Sequence, residues 1–309
     1  MSDIAVSDTM TLGKLTVSPM GTGTWAWGDS LVWGYQRGAD ADLKAAFEAS
    51  LASGITLFDT AEMYGLGRSE QLVGQFEHEH GTPVMVATKF MPLPWRVRKA
   101  DLLNALRRSL QRLGRTSIDL YQIHWPSAPV PVEWWAEALA DALEAGLTKE
   151  VGVSNYSVNQ MQRVQSVLVK RGFALASNQV EYSLIQRSPE RNGLLTACRE
   201  LGVTLIAYSP LGMGLLTGKY TPSHPPSGPR GRMYNADYLR KLQPLLNKLS
   251  DIAAAHGKTP AQVALNWTLC KGTLPIPGAK NVKQIQDNAG ALGWRMSPEE
   301  VAALDQLAV

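Results

Sequence analysis

Cysteine is scarce in this chain, and charge of one sign never accumulates. Its two cysteines, Cys198 and Cys270, fall in stretches of helical pattern without Cys-x-x-Cys spacing, which excludes a disulfide-built scaffold and points to a reducing cytoplasm. Lys and Arg number 30 against 27 Asp and Glu, a net charge of +3 with no block of like charge, so nucleic acid and membrane surfaces are poor partners. No apolar run approaches the roughly 18 residues that a membrane span needs. The first ten residues, MSDIAVSDTM, have neither a basic start nor an apolar core of leader type, so neither export nor insertion is expected. No Ser/Gly-rich linker divides residues 1–309, which read as one domain. Two nucleotide signatures are also missing. No G-x-G-x-x-G follows the first strand, as a doubly wound fold would require, and residues 212–220 miss a P-loop by one residue of spacing and by Tyr220 in place of a magnesium-binding hydroxyl. His78 and His80 stand two apart and so do not share a helix face, and no metal site is expected.

What is present is an alternation. A hydrophobic content of 45% and a charged content of 18% describe an enzyme-sized core. A small hairpin is predicted at residues 10–17. Strand-type runs at 19–24, 55–59, 83–90, 118–124, 150–155, 176–182, 204–209 and 274–277 then alternate with helical stripes such as Leu102, Leu103, Leu106, Leu110 and Leu113. About eight strand-then-helix units make the pattern of a (β/α)₈ barrel, here with a short N-terminal hairpin and extra C-terminal helices. The Gly- and Pro-rich stretch 211–238 interrupts the rhythm and is predicted to be a loop of functional type. Thr259-Pro260 and Ser297-Pro298-Glu299-Glu300 are helix starts.

Three apolar strands stop at residues that carry chemistry: Asp59, Lys89 and His124, with Tyr64 in a Gly-punctuated loop just beyond the first. A parallel barrel brings such groups together at its C-terminal rim. The combination suits proton donation by a phenol. Free tyrosine has a pKa of about 10, so an ammonium from Lys89 would stabilise its phenolate, Asp59 would keep Lys89 charged, and His124 would orient a substrate oxygen. Trp25, Trp27, Trp33, Trp95 and Trp125 all fall in loops after strands and are predicted to wall a wide aromatic pocket for a bulky carbonyl compound.

Together with the surrounding residues these motifs resemble the aldo-keto reductase family. The matching segments are Gly54-Ile55, Phe58-Asp59-Thr60-Ala61 with Tyr64-Gly65, Gly67-Arg68-Ser69-Glu70, Thr88-Lys89, Ile118-Asp119-Leu120-Tyr121 with His124-Trp125-Pro126, Gly152-Val153-Ser154-Asn155, Asn178-Gln179 and Tyr208-Ser209-Pro210-Leu211. They follow the family's order over essentially the whole chain. The resemblance implies a barrel that binds NADP(H) across its C-terminal mouth and reduces aldehydes or ketones, with Asp59, Tyr64, Lys89 and His124 as the catalytic set. It further implies that Ser154, Asn155 and Gln179 hold the carboxamide, that Tyr208 stacks on the nicotinamide, and that Ser209, Pro210, Leu211 and Gly212 line the pyrophosphate. Gly23, Thr24, Trp25 and Asp59 border the same cofactor. Lys219 resembles the phosphate-facing lysine of the branch that includes the potassium-channel β subunits, and Gly278, Lys280, Gln284, Asp287 and Asn288 match the adenosine end. Gln284 stands where many members carry Arg, which leaves Lys280 as the cation for the 2′-phosphate. Two other functions compete at this level: a slowly turning redox-sensing subunit that keeps the NADP pocket, and a Schiff-base lyase using Lys89 as nucleophile. Oligomeric state is not legible.

Overall fold

A computed structural model describes residues 9–30, 33–126, 129–227 and 229–307. Residues 1–8, most of the stretch that lacks leader character, lie outside the described residues. The hairpin pairs β1 (Met10–Leu12) with β2 (Leu15–Val17) through a turn in which Gly13 takes a left-handed φ of 60°. Eight parallel strands follow: β3 (Gly21–Gly23), β4 (Leu57–Asp59), β5 (Met85–Phe90), β6 (Ile118–Ile123), β7 (Thr148–Ser154), β8 (Ser177–Glu181), β9 (Thr204–Tyr208) and β10 (Leu274–Ile276), each hydrogen-bonded to the next in chain order. Between them run α1 (Asp40–Ala52), α2 (Arg68–His80), α3 (Lys99–Leu113), α4 (Val132–Glu144), α5 (Val158–Lys170), α6 (Ser188–Arg191), α7 (Leu194–Glu200), α8 (Pro229–Met233), α9 (Ala236–His256) and α10 (Pro260–Cys270). Helices α11 (Val282–Ala289) and α12 (Pro298–Leu307) complete the chain. This is the (β/α)₈ architecture that the alternation predicts.

The ring closes between the last strand and the first. The Gly23 amide donates to the Pro277 carbonyl at 3.0 Å, and a Cβ on Gly23 would stand only 2.8 Å from the Ile276 carbonyl oxygen, so a side chain there would force the seam apart. Alternation along each strand then sorts the side chains into two cores. Leu57, Ala87, Leu120, Ile206 and Leu274 point inward and meet Leu12 and Val17 of the hairpin, which plugs the lower end of the barrel. Phe58, Val86, Phe90, Tyr121 and Val153 point outward under the helices. The inward series on β4 and β5 continues upward from Leu57 to Asp59 and from Ala87 to Lys89, which is how an apolar strand delivers a charged group to the rim.

The stretch 211–238 is less irregular than predicted. It holds a helical turn at Gly212–Thr217, the short α8, and the first turn of α9, which starts at Ala236 because the Asn235 side chain accepts the Tyr238 amide. Residue 228 lies outside the described residues.

Helices α2 and α3 touch at Gly74, where a Cβ would lie 2.4 Å from the Leu113 carbonyl oxygen. Gly74→Ala gains about 1 kcal/mol of helix propensity but meets backbone that cannot move aside, at about 1–3 kcal/mol. A net loss of about 1 kcal/mol in urea unfolding is expected. An unchanged or raised stability would contradict so close an approach.

Candidate active site

The interior at the upper end of β4 and β5 holds a complete buried ion pair. Lys89 is 0% exposed, and its ammonium meets Asp59 Oδ1 at 2.5 Å, the Thr60 carbonyl at 2.8 Å and the Tyr64 hydroxyl at 3.4 Å. Three donors thus have three acceptors. The second Asp59 oxygen accepts from Gln179 Nε2 at 2.8 Å, so neither charge is left unsatisfied, the condition under which a buried pair is tolerated. Burial works against the ammonium, but the Asp59 charge and the hydrogen bonds to Asp59 and Tyr64 outweigh it, and the Lys89 pKa is raised.

Tyr64 differs from the sequence-based expectation. Its pKa is raised: burial dominates, the lowering by Lys89 comes second, and Asp59 works against that lowering. The phenol therefore keeps its proton throughout neutral pH. Lys89 lowers the pKa as expected, but desolvation of the ring and the Asp59 charge outweigh that lowering.

His124 follows β6, its amide bonded to the Phe90 carbonyl at 2.8 Å, and its ring lies edge-on to Tyr64 with centroids 5.8 Å apart. Burial and the Lys89 charge lower its pKa to about 3, so the imidazole is neutral. Its Nδ1 is buried and has no hydrogen-bond partner among the described residues. Beside it, Asn155 is held in a left-handed conformation (φ 63°) while its amide donates to the His124 carbonyl at 3.2 Å and to Ser154 Oγ at 3.0 Å. The Tyr208 hydroxyl donates to Asn155 Oδ1 at 3.1 Å, Ser154 Oγ donates to the Gln179 carbonyl at 2.8 Å, and Ser209 is also left-handed at φ 50°. Left-handed non-glycine residues just after β7 and β9 mark a site the surrounding fold constrains.

Residues that sequence reasoning quoted without a role lie directly behind this set. Ser69 is fully buried: its hydroxyl lies 2.7 Å from Thr24 Oγ1, accepts from Thr60 Oγ1 at 2.8 Å and donates to the Thr24 carbonyl at 3.1 Å, while Thr24 Oγ1 donates to the Asp59 carbonyl at 2.8 Å. Glu70, 0% exposed, accepts from Thr88 Oγ1 at 2.6 Å and from Arg112 Nε at 2.5 Å. The first turn of α2 thereby ties together the ends of β3, β4 and β5. The available signal was a run of polar residues directly after a Gly turn, where an ordinary helix start would face water.

The tryptophans divide. Trp25 stacks beside Tyr64 with centroids 6.2 Å apart and meets the Trp33 ring edge-on at 5.5 Å. Trp95 and Trp125 are 74% and 46% exposed in rim loops. Trp27 is no pocket wall. It is 0% exposed, donates its indole N–H to the Ala279 carbonyl at 2.8 Å and packs on Phe58 and Phe76, because the chain turns inward there.

The Lys219 ammonium lies over the Tyr220 ring at 4.8 Å and that of Lys280 over Trp33, the ring that meets Trp25, at 6.0 Å. The Gln284 side chain accepts the Lys280 amide at 2.7 Å, and Asn281 caps α11 by accepting the Gln284 amide at 3.0 Å. Asp287 pairs with Lys283 at 2.8 Å, and Asn288 is buried. Gln284 and Asp287 also line an open cleft of about 490 Å³ between α1 and α11. The Lys219 and Lys280 ammonium groups are the kind of cation that the phosphates of a dinucleotide need.

The chain matches the model of the aldo/keto reductase family over residues 19–309 and belongs to that family. It is an NADP-dependent oxidoreductase, with NADP(H) as the cofactor of its class. Its relatives include the chloroplastic pyridoxal reductase of Arabidopsis thaliana, 46% identical over 96% of this chain and 85% of that protein. Among solved structures, the glycerol dehydrogenase of Gluconobacter oxydans superposes with a TM-score of 0.87 at 29% identity, covering 97% of this chain and 94% of that one. An aldo/keto reductase of Klebsiella pneumoniae in complex with NADP and acetate superposes with a TM-score of 0.78 at 30% identity, covering 98% and 96%. No helix among the described residues is long and apolar enough to cross a membrane.

Because His124 is held neutral below its ordinary value, the unfolded chain takes up a proton near pH 6.5 that the folded protein refuses until about pH 3. Its contribution is therefore intact above pH 6.5 and lost as pH falls, at up to about 1.4 kcal/mol per unit. Urea unfolding between pH 7 and pH 4 should decline less steeply in His124→Gln than in wild type. Equal slopes would contradict the burial of an uncharged imidazole.

Proposed function

We propose that this protein reduces aldehydes and ketones to alcohols with NADPH, Tyr64 giving the proton to the carbonyl oxygen. One observation carries the reading: a fully satisfied buried Lys89–Asp59 pair reaches the hydroxyl of a protonated tyrosine, beside a neutral histidine. The bound cofactor supplies hydride to the carbonyl carbon. Neutral His124 orients the carbonyl oxygen by hydrogen bonding, and Tyr64 donates its proton to that oxygen. Lys89 stands against the phenolate left behind, while Asp59 and Gln179 hold the ammonium in place. Tyr64 keeps its proton at neutral pH, the form that donation to a carbonyl oxygen needs.

Ser154, Asn155 and Gln179 hold the carboxamide and Tyr208 faces the nicotinamide ring. Residues 209–212 and Lys219 take the pyrophosphate, and Lys280, with Gln284, Asp287 and Asn288, the adenosine end. Gly23, Thr24 and Trp25 border the same groove, and Gly278 the adenosine end. Lys280 acts through its side chain, since its backbone N–H is already held by Gln284. The substrate is a flat aromatic aldehyde received among Trp25, Trp33, Trp95 and Trp125, with pyridoxal the first candidate because a relative 46% identical over 96% of this chain carries that activity in its name. Cys198 and Cys270 are free thiols, in keeping with a reducing compartment such as the cytoplasm. We read residues 1–309 as one domain.

Consumption of NADPH with pyridoxal and a panel of other aldehydes tests the reading. Tyr64→Phe should bind NADPH as wild type does, by nucleotide fluorescence, and turn over about 10²–10⁴-fold more slowly. Wild-type turnover in that variant would remove Tyr64 from the reaction.

A further inference from the structure

Two neighbouring rim loops are fastened to each other by one ion pair that the chemistry above does not use. Glu62, two residues before Tyr64, is 8% exposed. Its Oε1 accepts the Met91 amide at 2.8 Å and forms a short ion pair with Arg96. The same Arg96 nitrogen donates to the Met91 carbonyl at 3.0 Å, and the guanidinium lies over the Phe90 ring at 5.2 Å. The backbone of the loop is turned tightly around this contact, with the Arg96 amide on the Leu93 carbonyl at 2.8 Å and the Leu93 amide on the Met91 carbonyl at 2.9 Å. The Glu62 amide in turn reaches the Lys89 carbonyl at 3.3 Å, so the fastening is attached to the strand end that carries the buried ammonium.

At the tip of this pinned loop, next to Arg96, Trp95 is 74% exposed. Covering such an indole with an apolar ring removes apolar surface from water, which is favourable. Arg96 Nη1 is occupied by Glu62 and the Met91 carbonyl, and the guanidinium lies over the Phe90 ring.

We propose that Glu62 and Arg96 are positioning residues for substrate selection. Their ion pair fixes the 91–98 loop against the loop that carries Tyr64, so that Trp95 receives the ring of an aromatic aldehyde and is irrelevant to a small aliphatic one. The proposal rests on the reductase reading. Loss of the pair frees Trp95 and weakens binding of the ring, with no effect on the proton donor.

Steady-state kinetics at saturating NADPH, with pyridoxal and with propanal, separate the two roles. Arg96→Met should raise KM for pyridoxal by about tenfold, while kcat for pyridoxal and both constants for propanal stay within about threefold. Arg96→Lys, which keeps the charge, should restore part of the loss. Arg96→Met leaves Glu62 buried without its cation and endangers folding. The double variant Glu62→Gln/Arg96→Met removes both charges, keeps an acceptor for the Met91 amide, and should show the same KM pattern. Trp95→Ala alone should raise the pyridoxal KM comparably, and adding Arg96→Met to it should change KM by less than about twofold, because both act through one ring. Equal changes for pyridoxal and propanal, no change for either, or additive effects of Trp95→Ala and Arg96→Met would overturn the proposal. A wild-type protein inactive on both aldehydes would instead overturn the reductase reading and the selection role with it.

Discussion

A lysine ammonium buried in a barrel is tolerable only with an anion beside it, and the upper half of this molecule is arranged to satisfy that condition. Asp59 supplies the charge, the Thr60 carbonyl and Tyr64 hydroxyl take the remaining donors, and Gln179 occupies the other carboxylate oxygen. Asp59 and Thr60 come from the end of β4, Tyr64 from the loop beyond it and Gln179 from β8. The pair is therefore only as good as the registers of β4, β5 and β8, and those registers are fixed by parallel pairing and by inward alternation over an apolar floor. Buried pairs of this kind contribute little to stability against a hydrophobic alternative. Their persistence at a rim beside a phenol is better explained by chemistry than by folding.

Behind the pair stands a second polar layer that faces the helices. Ser69 joins Thr24, Thr60 and the Asp59 backbone, and Glu70 joins Thr88 to Arg112. Every oxygen in this layer has a partner at hydrogen-bonding distance, so it is rigid and fixes the backbone on both sides of Lys89. Reactive groups held on strands and braced from behind meet a substrate without first reorganising.

The barrel was legible because short apolar strand-type runs alternate with amphipathic stripes, interrupted only at 211–238, and because Asp59, Lys89 and His124 each end an apolar run. The rest escaped for particular reasons. Trp27 shares a loop with Trp25, and sequence alone cannot tell which indole turns inward to the Ala279 carbonyl. The Tyr64 pKa depends on a balance between burial and two opposite charges, which is a matter of distances. Glu62 and Arg96 are 34 residues apart and read singly as surface charges. The Asn235 cap that starts α9 was hidden among the Gly and Pro of the preceding stretch.

The central claim is that the Lys89–Asp59 pair serves catalysis at the expense of, or at best neutrally to, stability. Comparing Lys89→Met with Asp59→Asn/Lys89→Met tests it, by urea unfolding and by kcat for pyridoxal. Removing the ammonium alone leaves a buried carboxylate unpaired and should cost about 3–5 kcal/mol. Removing both charges should recover most of that stability, yet leave kcat lower than wild type by at least about 10²-fold, since the phenol has lost its cation. A double variant that is stable and turns over at the wild-type rate would contradict the account.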